Sequence, residues 1–261
     1  MHISIMAAIA RKAGCLLLEK RRLGLQISHK SGLDLVTQAD KASEELIIGE
    51  LKQYYPDYNV MAEEQGWVHK ADSEFTWVID PLDGTANYVH GLPHYSVSIG
   101  LLKNRQPFAG VVYNPQLQEL YSAMQGQGAF LNNRAINVST TAKVQEGLFS
   151  TGFSGDRAKV SEESMGRFQN ITKESHGVRR IGSGALDLCY VACGYLEGYW
   201  EKPISTWDIA AGVAIVLEAG GKVTAIGGEP LDLFSGEVVA TNGQLHDELI
   251  DRLQVPQLLP V

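Results

Sequence analysis

The chain has 261 residues, with 30 Asp plus Glu against 22 Lys plus Arg, a formal net charge of −8 and 44% hydrophobic residues. That length suits one large domain or two small ones, the apolar content is ample for a packed core, and the acidic balance offers no basic footprint for nucleic acid or an anionic membrane surface. The longest stretch free of Asp, Glu, Lys and Arg, residues 84–102, contains Asn87, His90, Pro93, His94, Ser96 and Ser98, so it is not a membrane span.

In chain order, Ile5, Ile9, Ala13, Leu16 and Leu17 recur at the three-to-four spacing of an amphipathic helix over residues 3–20. This segment lacks the leading basic region of a secretory signal and runs into Arg11 and Lys12, so a cytoplasmic protein is expected. Residues 28–40 read as a polar connector. A second helix over 42–54 uses Leu46, Ile47 and Leu51 and stops before Pro56. From residue 75 the texture turns to short β-rich runs at 75–79, 95–102, 108–113, 119–124 and 129–131, separated by Lys103-Asn104-Arg105, Asn114-Pro115 and Gly126-Gln127-Gly128 turns. This half predicts an antiparallel sheet carrying two helices. Beyond residue 137 the pattern alternates: strands at 148–153, 178–181, 196–200, 222–225 and 238–240, and helices at 161–174, 185–193, 209–218 and 246–253. The shift of texture divides the chain into residues 1–138 and 139–261, two halves expected to fold as one unit.

The chemistry concentrates in Trp77-Val-Ile-Asp80-Pro-Leu-Asp83-Gly84-Thr85. A β-run ends at a carboxylate, Pro81 forces a turn, a second carboxylate follows, and a short helix can begin at Gly84 and Thr85. Two carboxylates at a strand end are hard oxygen donors of the kind Mg²⁺ uses, and a helix start offers free N–H groups to a phosphate. Asp beside Pro and Gly equally forms simple Asx turns. Glu63 and Glu64 end a Tyr/Val/Met run just before this strand and read either as ligands or as a solvated pair. Asp208, in Ser205-Thr-Trp-Asp-Ile-Ala-Ala-Gly212 at the head of an apolar helix, reads either as a ligand or as a cap. His90 and His94 are separated by Gly91 and Pro93, which disfavours a helical zinc pair. Arg179 and Arg180 fit a solvated strand edge or an anionic ligand. Cys15, Cys189 and Cys193 form no C-x-x-C pair and are expected to be buried, reduced thiols.

Asp80-Pro-Leu-Asp83-Gly84-Thr85 and Trp207-Asp208-Ile-Ala210-Ala211-Gly212 resemble the two signature motifs of the inositol monophosphatase family of magnesium-dependent, lithium-sensitive phosphatases. Each fixes five residue types, so a chance match has a probability of order 10⁻⁴ per chain. The segment from Lys30 through Asp34 and Thr37 to Asp40 is similar to the family's early element. Ala62-Glu63-Glu64 resembles its Gly/Ala-Glu-Glu element, and Asn87-Tyr-Val-His-Gly91 follows the first signature as in the family. Ala62 and Tyr88 stand where many members carry Gly and Phe.

The resemblance implies a layered αβαβα sandwich, the sugar-phosphatase fold, with an antiparallel sheet in the N-terminal half and a mixed sheet in the C-terminal half. It implies that Glu63, Asp80, the backbone carbonyl of Leu82, Asp83 and Asp208 bind two Mg²⁺, with room for a third, weaker ion. Gly84 and Thr85 would hold the substrate phosphate. Asp40 and Thr85, with Glu63, would position a metal-activated water for direct attack without a phosphoenzyme, and Lys30 would lie near the metal-water region. Glu201 and Asp208 would meet substrate hydroxyls, with Gly182, Ser183 and Gly184 lining that pocket. The implied substrate is a small phosphorylated polyol or sugar, foremost myo-inositol 1-phosphate. Fructose-1,6-bisphosphate, histidinol phosphate, NADP(H) and nucleotide 3′-phosphates are the sister specificities. A homodimer is implied, as is, for some bacterial members, a regulatory contact with the transcription machinery.

Overall fold

The structure, a computed structural model, describes residues 2–31, 34–153 and 161–254, apart from the side chains of 29–31 and 34. Helix α1 (His2–Leu23) buries Met6, Ile9, Ala10, Ala13 and Leu17 along one stripe and ends on Lys20, Arg21 and Arg22, cations that complement the negative end of the helix dipole. Strands β1 (Ile27–Ser31) and β2 (Asp34–Thr37) pair as an antiparallel hairpin and lead into α2 (Gln38–Tyr54). The stretch read as a connector therefore holds a hairpin and the first helical turn. Thr37 caps α2 in a capping box with Asp40, an arrangement that starts the helix at Gln38, four residues before the expected start at residue 42.

Next come β3 (Asn59–Ala62), β4 (Gly66–His69), β5 (Phe75–Asp83), the short helix α3 (Thr85–His90), and strands β6 (Ser96–Lys103), β7 (Gln106–Asn114), β8 (Glu119–Met124), β9 (Ala129–Leu131) and β10 (Arg134–Ile136). The eight strands from β3 onward form one sheet in the order β10-β9-β8-β7-β6-β5-β3-β4. It is antiparallel, as expected, except where β3 runs parallel to β5. That pair brings the end of β3, next to Glu63, beside the end of β5, where Asp80 lies. Asn104 and Arg105, both at positive φ, make the tight β6–β7 turn.

The remainder comprises β11 (Leu148–Thr151), α4 (Glu162–Glu174), β12 (Gly177–Arg179), α5 (Gly184–Ala192), β13 (Gly198–Glu201), α6 (Thr206–Glu218), β14 (Lys222–Thr224), β15 (Val238–Thr241) and α7 (His246–Leu253). Its five strands form a mixed sheet, order β12-β11-β13-β15-β14, in which β11 runs parallel to β12 and β13 while β15 is antiparallel to β13 and β14.

Alternation along the strands separates the layers. Trp77, Ile79, Val97 and Ile99 pack with Met6, Leu17 and Ile47 of α1 and α2, whereas Val78, Leu102 and Val112 face α5 and α6 through Leu188, Ala210 and Val213. Beyond those two helices, Phe149, Trp200 and Val239 of the second sheet pack against Ile171 and Leu249 of α4 and α7. The result is an αβαβα sandwich. Helix α6 sits unusually close to the first sheet. A Cβ on Gly100 would lie 3.0 Å from the Cβ of Ala210, and one on Gly110 would collide with the carbonyl oxygen of Ala211. On the helix's other flank a Cβ on Gly212 would meet Leu188 at 2.6 Å. The small residues after Asp208 thus let the helix lie between sheet and neighbour. Cys189 is buried and Cys193 partly so, but Cys15 is exposed on α1, against expectation; the helix turns that position outward between the buried Gly14 and Leu17.

Candidate active site

Three carboxylates converge where the end of β5 meets the start of α6. Oxygens of Asp80, Asp83 and Asp208 all lie within 4.8 Å of one another. Asp80 and Asp83 are buried and Asp208 is half-buried. Each is held. Asp80 Oδ1 accepts a 2.9 Å hydrogen bond from Leu82 N, which closes the turn over Pro81. Asp83 Oδ2 accepts from Ser183 Oγ at 2.5 Å and from Ala185 N at 2.8 Å, both at the start of α5. Asp208 Oδ2 accepts from Ser205 N at 2.9 Å, so the capping reading of Asp208 is correct and coexists with membership of the cluster. Sequence thus places Asp80 and Asp83 on one strand end, while the fold supplies Asp208 from 125 residues further on.

Burial and mutual repulsion make this cluster a poor home for bare negative charge. Burial, then the charges of Glu63, Asp83 and Asp208, push Asp80 well above the ordinary carboxylate range. Asp208 is raised in the same way by burial, Asp83 and Glu63. Asp83 rises to about 6 through burial, held back by the hydrogen bonds from Ser183 and the backbone N–H groups around it. Hard oxygen donors packed this closely, and disfavoured as anions, have the chemistry of a divalent-cation site. Glu63 follows β3 and its charge acts on both Asp80 and Asp208.

Beside the cluster, Thr85 opens α3. Its Oγ1 lies 3.0 Å from both Asp40 Oδ1 and the Leu82 carbonyl oxygen. Asp40 is fully buried; its other oxygen accepts from Thr37 N at 2.8 Å and Thr37 Oγ1 at 2.7 Å. Burial raises the Asp40 carboxyl and those hydrogen bonds oppose the rise. Gly84, which precedes α3, closely approaches the Gly182 turn, and Asn87 ties the same two places together: its Nδ2 donates to His94 O at 2.7 Å and to Ile181 O at 2.8 Å. Tyr88 uses its hydroxyl to bond the Leu17 carbonyl at 2.6 Å and so pins α3 to α1.

Glu201, at the end of β13, lies within electrostatic reach of the cluster: the charge of Asp83 acts on it and its own charge acts on Asp208. Burial lifts Glu201 to about 7, with Asp83 adding and the hydrogen bond from Tyr199 and the charge of Arg180 subtracting. Ser183 is buried on Asp83, Gly184 abuts Tyr199 and Asp208, and Gly182 lies against Asn87. Lys30 belongs to β1, but its side chain lies outside the described residues. Sequence reasoning missed the supports Thr37, Asn87 and Tyr199. Thr37 had a signal, a Thr three residues ahead of an acid at a helix start, and Asn87 lay in the Asn87-Tyr-Val-His-Gly91 segment.

The sequence model of the Inositol monophosphatase family matches residues 2–257. The chain is 46% identical to inositol-1-monophosphatase of Synechocystis over 97% of its own length and 88% of the relative's. It is 41% identical to Nus factor SuhB of Pasteurella multocida, covering 97% of this chain and 95% of that protein. Among solved structures, inositol monophosphatase from Anabaena (Nostoc) superposes with a TM-score of 0.90 at 43% identity, over 98% of this chain and 97% of that one.

Proposed function

The chain belongs to the inositol monophosphatase family and is a phosphatase, and from that premise we propose that it hydrolyses myo-inositol 1-phosphate in a Mg²⁺-dependent reaction. The observation that carries the reading is the convergence of Asp80, Asp83 and Asp208 within 4.8 Å, next to the Thr85–Asp40 pair. Glu63, Asp80, the Leu82 carbonyl, Asp83 and Asp208 would hold two Mg²⁺, with a third, weaker ion beside them. When bound, the cations would neutralise phosphate charge and lower the pKa of a water molecule. Phosphate-monoester hydrolysis is among the slowest uncatalysed reactions, with accelerations of up to ~10²¹ demanded, so such charge compensation is central.

The chain's own groups would do the rest. Gly84 and Thr85 hold the phosphate. Thr85, fixed by buried Asp40, and Glu63 orient the attacking water, so the carboxylate behind Thr85 keeps its hydroxyl in one rotamer. Glu201 and Asp208, with the Gly182–Gly184 wall, meet the hydroxyls of the alcohol, and Lys30 stands near the water. Residues 1–138 and 139–261 act as one folding unit, a reading supported by α6 packing against the first sheet while Asp208 starts it. We also assign a homodimer, a cytoplasmic location and inhibition by lithium. No helix among the described residues is long and apolar enough to cross a membrane.

The Nus factor name of the Pasteurella multocida relative supports a second role for this chain, a regulatory contact with the transcription machinery. Phosphate release with and without Mg²⁺, from inositol, fructose, histidinol, NADP and nucleotide 3′-phosphates, tests the enzyme reading. Mg²⁺-dependent turnover highest on myo-inositol 1-phosphate is expected. Turnover on another ester alone would reassign the substrate, and none on any would refute the proposed reaction.

A further inference from the structure

Glu201 does not stand alone on its strand. Tyr199, two residues earlier on β13, shares its face, and its hydroxyl donates to Glu201 Oε2 at 2.6 Å. The phenol is completely buried. Burial and the carboxylates around it hold it protonated, so its single proton is committed to that oxygen. Backbone closes in on the pair from two sides. A Cβ on Gly152, just past β11, would collide with the Glu201 carboxylate, and one on Gly184 would lie 2.9 Å from the Tyr199 hydroxyl. The carboxylate is therefore seated over the bare backbone of residue 152. Its Oε2 already accepts from Tyr199, and among the described residues Oε1 has no hydrogen-bond partner.

We propose that Tyr199 is a positioning residue for substrate selection: by occupying Oε2 it presents Glu201 Oε1, in one orientation, to a hydroxyl of a polyol phosphate. The proposal rests on Glu201 being the group that meets substrate hydroxyls. Among the described residues Tyr199 makes no hydrogen bond to Asp80, Asp83 or Asp208; its hydroxyl is spent on Glu201. Its removal therefore affects how a hydroxylated alcohol binds and spares the transfer of the phosphoryl group. A free glutamate samples several rotamers, and hydrogen-bond recognition of a hydroxyl depends on alignment to within a few tenths of an ångström.

The test compares the wild type with Tyr199→Phe, Glu201→Gln and the double variant on myo-inositol 1-phosphate and on p-nitrophenyl phosphate, which has no hydroxyl to recognise. Tyr199→Phe is expected to raise KM for the inositol ester about five- to twentyfold with kcat within about twofold, and to leave the aryl ester within about twofold. Added to Glu201→Gln, it should cost nothing more. Equal losses on the two esters, or a full additional loss in the double variant, would overturn the positioning role. If Glu201→Gln leaves the preference for the inositol ester unchanged, both the reading of Glu201 and this inference fall. If Glu201→Gln removes the preference and Tyr199→Phe does not, the inference alone falls. Should Tyr199→Phe not fold, Gly152→Ala displaces the same carboxylate and must produce the same KM split.

Discussion

Asp83→Asn separates a ligand from a structural acid, because the two predict opposite signs for stability. The substitution keeps the shape of the side chain, and its remaining oxygen can still accept from Ser183 Oγ and Ala185 N. In the native chain Asp83 titrates at about 6 against an ordinary 3.8. The folded state therefore holds its proton to higher pH than the unfolded state does. No penalty exists below pH 3.8; it grows through the interval and is complete above about 6, where it reaches about 3 kcal/mol. Asn carries no charge and forfeits about 1 kcal/mol of charge-assisted hydrogen bonding. Without divalent cations at pH 8, the variant should then be more stable than the wild type by about 2 kcal/mol, and at pH 4 the gain should vanish. Phosphate release should fall by orders of magnitude, and the increase in stability that saturating Mg²⁺ gives the wild type should be lost. Urea unfolding at both pH values, in chelator and in Mg²⁺, reads all of this. A variant less stable than wild type at pH 8 in chelator, yet still stabilised by Mg²⁺, would refute the assignment of this cluster as the cation site.

Ser183→Ala removes the 2.5 Å donor to Asp83 and should weaken Mg²⁺ affinity about 10- to 100-fold by isothermal titration, with the fold unchanged by circular dichroism. Asn87→Ala unties the His94 loop from the Ile181 turn; it should raise KM for the inositol ester severalfold while the melting temperature drops by only a few degrees, and an unchanged KM would count against Asn87 as the clamp. His246, buried between Thr224 and Thr241, is pushed down to about 4 by burial and Lys222, against the pull of Asp247. The unfolded chain takes up that proton first, so stability is full above pH 6.5 and declines as pH falls through about 4, by about 3 kcal/mol. In chelator this trend opposes that of Asp83 over nearly the same interval. Asp83→Asn should accordingly expose an acid-side loss of stability that His246→Gln then flattens.

The two longest-range features of the site were the most legible. Asp80-Pro-Leu-Asp83-Gly-Thr and Trp207-Asp208 each carry their chemistry on adjacent residues, and the amphipathic or wholly apolar character of α1, α5 and α6 is strong over two turns or more. Strands β1 and β2 went unread because Ser28, His29, Lys30 and Ser31 are polar and show no alternation of apolar and polar residues. The parallel β3–β5 pair escaped because four residues are too few to reveal a direction. The supports of the site were illegible for another reason. Ser183 and Asn87 stand in segments that the resemblance picks out, but Ser183 meets Asp83 across 100 residues and Asn87 meets Ile181 across 94, so nothing local marks these contacts. Tyr199, only two residues from Glu201, looked like one more aromatic of a core strand, and only the direction of its hydroxyl distinguishes it.

The narrow seat of α6 has a consequence for which errors the protein tolerates. Asp208 rides at the head of a helix whose distance from the first sheet is set by missing side chains, Gly100 and Gly110 facing Ala210 and Ala211. Interiors are close-packed and transmit strain instead of absorbing it. A single methyl at position 110, on a strand that supplies none of the proposed ligands, should therefore act as a shim: it lifts α6 and moves one oxygen of the trio away from the two on β5. Gly110→Ala should show up as a loss of Mg²⁺ affinity larger than its loss of folding stability would suggest. High Mg²⁺, which restores occupancy of the site, should then draw the helix back down.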